Sequence, residues 1–462
     1  MTANTPDCNN QIILIDKSVE FYGKRDYMIK RDKYLNQLIK AMNNGFPKVI
    51  TGIRRCGKSY LLKEIFREYL IESGIDNDHI IVIELDDLKN SSLRDPISLN
   101  SYIMDLTNGK NEKHYVFLDE IQRVYTIVNP ELTEGRHILA KPEDKEVISF
   151  VDVVLGLSHR NNIDLYVTGS NSKMLSSDIV TEFRDKATEI RMTPLSFSEY
   201  HEHSGGYVTD DLFEFMHHGG MPLAVLSGEE EREQYLKNLF TTTYFKDILE
   251  RNKLRKEEAL DELCTILSSC TGEFLNVEKI ANTFESRTKN KICKETVDSY
   301  ISAFIDAFII YPVNRFDLKG RKEIGALRKY YFSDTGLRNA RLDFVFPDEG
   351  QMLENVIMNE LLYKGYSVSV GSFDQIEKDK AGNSVRKSYE IDFRAVKGKR
   401  SMYIQIASDI SKEETMKREI RPFILLNDQI TKILVVNKPI REMRDQNGFT
   451  VIGITEFLLN YI

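Results

Sequence analysis

The stretch Val49-Ile50-Thr51-Gly52-Ile53-Arg54-Arg55-Cys56-Gly57-Lys58-Ser59 constrains this chain more than any other. It fits G-x-x-x-x-G-K-[ST]. In that pattern glycines let the backbone wrap closely around a polyphosphate, with several N–H groups turned inward. Lys58 places a positive charge near the β- and γ-phosphates, and the Ser59 hydroxyl can complete a Mg²⁺ shell. Context answers the rival reading, a glycine-rich turn by coincidence. An apolar run, Lys48 to Thr51, reads as a strand entering the loop. Tyr60 to Phe66 reads as an amphipathic helix whose positive end adds to the anion site. The candidate nucleotide-binding residues are Gly52, Ile53, Arg54, Arg55, Cys56, Gly57, Lys58, Ser59 and Tyr60.

With 462 residues the chain has room for about two or three domains with proper cores. A formal net charge of −8 carries no global basic field, so DNA contact would need a local patch. Cysteines Cys8, Cys56, Cys264, Cys270 and Cys293 are scattered, with no C-x-x-C pair, and suggest neither a disulfide framework nor a cysteine zinc site. No signal peptide or apolar run of membrane-spanning length is seen, so a cytoplasmic location without membrane contact is expected.

In chain order, residues 1–26 read as an extension. Asp32 to Asn43 reads as a helix closed by Asn44-Gly45. Tyr27 to Arg31, just before it, either close over a base or simply pack. Ile80 to Leu85 and Tyr115 to Glu120 are apolar, β-branched or aromatic runs of the kind that form buried parallel strands. The second ends in two acids. After a P-loop at this distance, Asp119 is expected to hold Mg²⁺ through water and Glu120 to polarise the attacking water of an ATPase. Asp164 to Asn171 is a further strand running into small polar residues, where Ser170 or Asn171 can sense a γ-phosphate. Alternating strands and helices argue for a parallel α/β sheet. Val128 to Glu146, with Pro130 and Pro142, reads as an inserted loop.

Gly52 to Ser59, Phe117 to Arg123, Thr168 to Leu175 and Thr188 to Tyr200 together resemble one family. These are prokaryotic AAA-type P-loop ATPases with a C-terminal domain related to restriction-endonuclease-like folds. The resemblance runs from about Tyr27 to the end. It implies ATP and Mg²⁺ as ligands, with Glu120, Lys58, Asn171 and an arginine finger in catalysis and Ser59 and Asp119 on the metal. The family's Gly-Arg pair is replaced here by Asp185 and Lys186, which leaves Arg184 or Arg191 as the finger. His218-Gly219-Gly220-Met221-Pro222 resembles the turn after the ATPase core, and Tyr235 to Arg251 reads as a long helix.

Leu275 to Asn314 reads as a winged helix, with Phe304 to Val313 as the wing. Its second helix carries Glu295 and Asp298 beside Lys294, so it either contacts DNA or relays nucleotide state. Farther on, a helix (Met352 to Leu362), strands Ser367 to Val370, Tyr389 to Ala395 and Met402 to Ala407, and a helix from Lys412 to Ile420 resemble the PD-(D/E)xK nuclease core. Glu354 or Glu360 and Asp392 fit its acids. The E-x-K position reads Gln405-Ile406-Ala407, which lacks an acid and the lysine. The expectation is a non-catalytic domain. The alternative is a residual nuclease with Lys387 or Lys397 in the lysine role.

The expected domains are thus an extension (1–26), an AAA-type core (27–205), a helical lid and winged helix (206–320) and a nuclease-like domain (321–462). The expected function is ATP hydrolysis coupled to the C-terminal domains, with DNA as a partner. The rivals are an assembly or signalling switch with a homo-oligomeric or protein partner, and a Mg²⁺-dependent nuclease.

Overall fold

A computed structural model describes residues 29–109, 112–170, 187–245, 248–249, 257–288, 292–345, 348–378, 382–408, 413–426 and 428–462. The first unit is a five-stranded sheet of β1 (Lys48–Thr51), β2 (Ile80–Glu84), β3 (His114–Asp119), β6 (Ile163–Thr168) and β7 (Thr188–Arg191). Its order is β2-β3-β6-β1-β7, and every pairing is parallel. The three inner strands are buried along their whole length, as mostly apolar runs require, and the exceptions Lys48 and Asp164 pair with each other. The chain leaves β1 for β2, three places away at the sheet's edge, and then fills in β3 and β6. The C-terminal ends of β1, β3 and β6 therefore meet where a doubly wound sheet opens its binding crevice.

Helices cover both faces. One carries α1 (Asp32–Ala41) and α2, a continuous helix over residues 58–72 with one π-wound stretch at Leu61–Phe66. The other carries α3 (Pro96–Thr107) and α4 (Phe150–Ser158) around Val116, Leu118 and Val167. The insertion is closed at its neck by β4 (Ile127–Val128) against β5 (Val147–Ile148). Its backbone bonds from Val128 to Ile138 and from Asn129 to Glu146 make it a folded hairpin rather than an open loop.

Then come α5 (Phe197–Ser204), α6 (Val208–His218), α7 (Pro222–Leu226) and α8 (Glu229–Asn238), which continues π-wound over Leu239–Phe245. Next are α9 (Glu257–Ser269), α10 (Val277–Thr288) and α11 (Lys294–Asp306). One apolar cluster joins Tyr34, Ile50 and Phe117 of the first unit to Leu236, Leu260 and Phe304 of these helices. Phe304 to Asp306 form the last turn of α11. The hairpin after it is β8 (Ile310–Asp317) with β9 (Lys322–Phe332).

That hairpin also opens the second sheet, because β8 pairs in parallel with β10 (Ser367–Lys378). The eight strands run β14-β15-β13-β12-β11-β10-β8-β9, with β11 Ser384–Lys397, β12 Arg400–Ala407, β13 Thr431–Val436, β14 Met443–Arg444 and β15 Thr450–Gly453. The boundary expected at residue 320 falls in the turn between two strands of this one sheet. Between β9 and β10 lie α12 (Thr335–Arg341) and α13 (Glu349–Tyr363). Leu353, Val356 and Ile357 of α13 pack on Phe393, Ala395 and Ile404, and Phe423 of α14 (Glu413–Leu425) packs on Ile391 and Tyr403. The two faces are apolar because β11 carries a bulge. Ser369 pairs with Arg394 but Gly371 pairs with Ile391, which turns Ile391 and Phe393 to opposite sides.

Two buried polar groups on α13 fix it in place, one within the second unit and one across the junction. Asn355 exchanges hydrogen bonds with the backbone of Phe332, at 3.0 and 2.7 Å. Glu360 of α13 accepts the N–H of Phe197 across the junction, and burial raises its carboxyl to about 7. A carboxyl raised from 4.5 makes the folded state hold its proton more tightly than the unfolded chain does. Its contribution is therefore greatest below pH 4.5 and is lost as pH rises to about 7. Glu360→Gln is expected to flatten the loss of urea stability between these pH values and to raise stability at pH 7.5 by about 3 kcal/mol. An unchanged slope counts against this assignment.

Candidate functional site

The site forms where three parallel strands end. After β1 the chain turns through Gly52 at φ 142° and Gly57 at φ 99°, conformations that side chains rarely adopt. A Cβ on Gly52 would lie 2.0 Å from the carbonyl oxygen of Met192, just past β7. The glycine is thus set by the neighbouring strand as well as by the loop. Gly52→Ala is expected to cost more than about 4 kcal/mol or to prevent folding, measured as the melting temperature or soluble yield. A variant melting with the wild type would show that the strand gives way freely.

Lys58 is buried, and its Nζ donates to the carbonyls of Gly52 at 3.0 Å and Ile53 at 2.9 Å, inside the loop it closes. Ser59 Oγ donates to Asp119 Oδ1 at 2.8 Å. The Thr168 hydroxyl, from the end of β6, donates to the same Asp119 oxygen and accepts the Glu120 N–H at 3.0 Å. Glu120 itself stands at φ 54°, ψ 50°, a left-handed turn that ends β3 and separates its carboxylate from that of Asp119. Glu120 Oε2 accepts from Gln122 Nε2 and lies 3.5 Å from Ser170 Oγ. Lys63 Nζ, one turn into α2, stands 3.6 Å from Asp119 Oδ2 and pairs with Glu84.

The loop, Ser59, Asp119, Glu120 and Ser170 are therefore brought together. Gln122 and Thr168 lie within stretches that carry the family resemblance but take no role from it, and Lys63 carries no signal at all. Gln122 is placed by the turn after β3, Lys63 by α2, and Thr168 by the parallel register of β3 and β6. Tyr60 lies outside the cluster, with its ring about half exposed. Asn171 and Arg184, with Asp185 and Lys186, lie outside the described residues. Arg191 stacks its guanidinium over Phe308 and Tyr311 of this same chain, 5.0 and 4.8 Å from the ring centroids. Arg31, offered for base contact, is buried against the Thr193 carbonyl at 2.6 Å and Glu199 at 3.3 Å.

One contact ties the loop to the helices after β7, and a second ties the turn before α7 to α12. Tyr244, in the π-wound end of α8, donates its hydroxyl to the Arg54 carbonyl at 2.8 Å. Asp334 caps α12 through the Leu337 N–H and also accepts the Gly220 N–H at 2.6 Å. Burial raises this carboxyl to about 6 even though those N–H donors pull it down.

In the second sheet, Glu354, Glu390 and Asp392 surround Lys329 of β9. Lys329 Nζ lies 3.1 Å from Glu354 and 2.7 Å from Glu390. Tyr331 donates to Glu354, and Asp392 accepts the Ile406 N–H at 2.8 Å. Burial raises Glu354 and Asp392, and their mutual repulsion pushes Asp392 further. Burial works against the Lys329 charge, but the charges of Glu354, Glu390 and Asp392 outweigh it and the ammonium is held above its ordinary range. Glu360 stands apart at the Phe197 junction. Lys387 stacks on Tyr389 at 5.2 Å, and Lys397 on Tyr366 at 5.5 Å.

Residues 44–201 match the family described as an AAA domain, and residues 209–347 match a domain of unknown function, DUF8612. An uncharacterized protein of Haemophilus influenzae is 30% identical over 437 residues, 94% of this chain and 99% of that protein. Uncharacterized protein MJ1544 of Methanocaldococcus jannaschii is 28% identical over 436 residues, 89% of this chain and 86% of that protein. Among solved structures, the Walker-type ATPase PABY2304 of Pyrococcus abyssi aligns over 69% of this chain and 97% of its own, at 14% identity and a TM-score of 0.45. No helix among the described residues is long and apolar enough to cross a membrane. With its near full-length likeness to the Haemophilus influenzae protein, this chain belongs to that protein's family, and its residues 44–201 form an AAA-type P-loop ATPase domain.

Proposed function

We propose that the chain binds and hydrolyses ATP with Mg²⁺ and passes its nucleotide state to the C-terminal sheet. The observation that carries this reading is the hydrogen-bond chain Ser59–Asp119–Thr168–Glu120, which sets a metal ligand pair beside an acid at the ends of adjacent strands. The hydroxyl and carboxylate of Ser59 and Asp119 are hard oxygen donors, the set that suits Mg²⁺. When bound, Mg²⁺ supplies charge neutralisation on the phosphate oxygens. Lys58 turns from the Gly52 and Ile53 carbonyls to the β- and γ-phosphates. Glu120, steadied by Gln122, orients the attacking water and takes its proton, and Ser170 lies at hand for the γ-phosphate. The roles of Asn171 and Arg184 are kept for the same site.

The coupling follows from Tyr244 on the loop and from Asp334 on the Gly219-Gly220 turn. Movement of that turn reaches Asp334 and α12, which follow β9 of the second sheet directly in the chain. The order α13, β10, β11, β12, α14, β13 supports the restriction-endonuclease-like reading, and α9 to α11 with the β8–β9 hairpin support the winged helix. Lys329 favours a non-catalytic domain. Its ammonium sits between the acids, in the place that a divalent ion would take. The start of α11, with Glu295 and Asp298, favours a relay to protein partners or a second copy over direct reading of DNA.

The test is ATP turnover of the full chain with and without duplex DNA, with molecular mass measured in ATP and ADP. Turnover indifferent to DNA with a mass that changes supports the assembly relay. DNA stimulation with an unchanged mass replaces it by a DNA-acting ATPase.

A further inference from the structure

A second group of metal-binding side chains lies outside the nucleotide site, at the end of α6. His217 and His218 close that helix, and Glu233 faces them from α8. One ring nitrogen of each histidine and one carboxylate oxygen of Glu233 all lie within 4.8 Å of one another. The His218 ring is already oriented. Its Nδ1 lies 2.9 Å from Glu214 Oε2, which leaves Nε2 directed to Glu233 Oε1 at 3.9 Å. A carboxylate on the far nitrogen is the arrangement that fixes the tautomer of a ligating histidine. Arg232 stands 3.3 Å from the same Glu214 oxygen, so Glu214 is neutralised as an orienting group rather than left free as a ligand. The His217 ring is stacked on Phe213 and packed against Phe344, which leaves its approach to His218 edge-on at 4.6 Å between centroids.

We propose that His217, His218 and Glu233 bind one zinc-class divalent ion, with water in the remaining position. Two imidazoles and a carboxylate select zinc, cobalt or nickel over magnesium. A tetrahedral ion with bonds of about 2.0–2.1 Å brings its ligand atoms to roughly 3.4 Å from one another, so each side chain closes by an ångström or so. The ion ties α6 to α8, the helix whose far end carries the Tyr244 contact to the loop at Arg54. It thereby clamps α6 against the helix that contacts the loop. This site is independent of the Ser59–Asp119 pair, whose oxygen donors differ in kind.

The experiment uses the full chain stripped with a chelator, without nucleotide, titrated with CoCl₂ and followed by visible absorption. Zinc competition and thermal melting complete it. The expected result is a tetrahedral cobalt band that saturates at one equivalent, is displaced by ZnCl₂ but not by MgCl₂, and accompanies a rise in melting temperature. Glu233→Gln and His217→Ala, both at partly exposed positions, are expected to lose the band while melting with the metal-free wild type. Glu214→Gln is expected to keep the band at about ten- to hundredfold weaker affinity. A wild type without a saturable band, or one whose band survives in both Glu233→Gln and His217→Ala, overturns the proposal.

Discussion

Replacing Glu120 by glutamine is expected to lower ATP turnover by about 10²–10⁴-fold, the usual worth of a positioned general base. Nucleotide affinity should stay within a few-fold, since Lys58 and the loop are untouched. The substitution keeps the shape and an acceptor for Gln122 Nε2, so the left-handed turn after β3 stays supported. What is removed is the negative charge that takes a proton from water. Steady-state turnover and fluorescent nucleotide binding, measured together, separate the two effects. A loss of binding equal to the loss of turnover would make Glu120 part of the fold of the site. Unchanged turnover would place the base elsewhere. Asp119 is the contrasting case. It is held by Ser59 and Thr168 and faces Lys63, so Asp119→Asn should weaken Mg²⁺-dependent nucleotide binding as well as turnover.

Lys329→Met is expected to destabilise the protein by about 3–5 kcal/mol, the range for removing one partner of a buried ion pair. The pair with Glu354 is nearly dry, whereas Glu390 is partly exposed and contributes less. Without the ammonium, the buried Glu354 keeps, among the described residues, only the Tyr331 hydroxyl and still faces the charge of Glu390. Urea unfolding should show the loss. Lys329→Met with Glu354→Gln should recover a large part of it, because the second change removes the stranded charge. A single variant as stable as the wild type would mean that water reaches the cluster, and would reopen the residual nuclease reading. Incubation of the wild type with Mg²⁺ and DNA checks the same point from the other side. No cleavage is expected.

Much of the architecture was legible locally. The G-x-x-x-x-G-K-S spacing, the acids after Phe117-Leu118 and the order of strands and helices depend on short-range periodicity and backbone chemistry, and a chain carries these wherever it lies. The ends of elements shifted, by a residue or two in the first sheet's inner strands and by up to eight where Ser367–Val370 runs on to Lys378, because hydrogen bonding to neighbours decides where a strand stops. Thr168 is an example, held at the end of β6 by its bonds to Asp119 and Glu120.

What the sequence alone determined is therefore the presence of a phosphate loop, an acid pair and two α/β units. Only the tertiary structure decided which distant residues share a site. Met192 makes Gly52 obligatory, and Lys329, not Lys387 or Lys397, lies among the second sheet's acids. Glu233 meets the two histidines of α6, and the β8–β9 hairpin binds the helical region to the second sheet. Each depends on strand register or helix packing between segments far apart in the chain. A shift of one residue in register turns a side chain to the opposite face, and no local pattern specifies that choice.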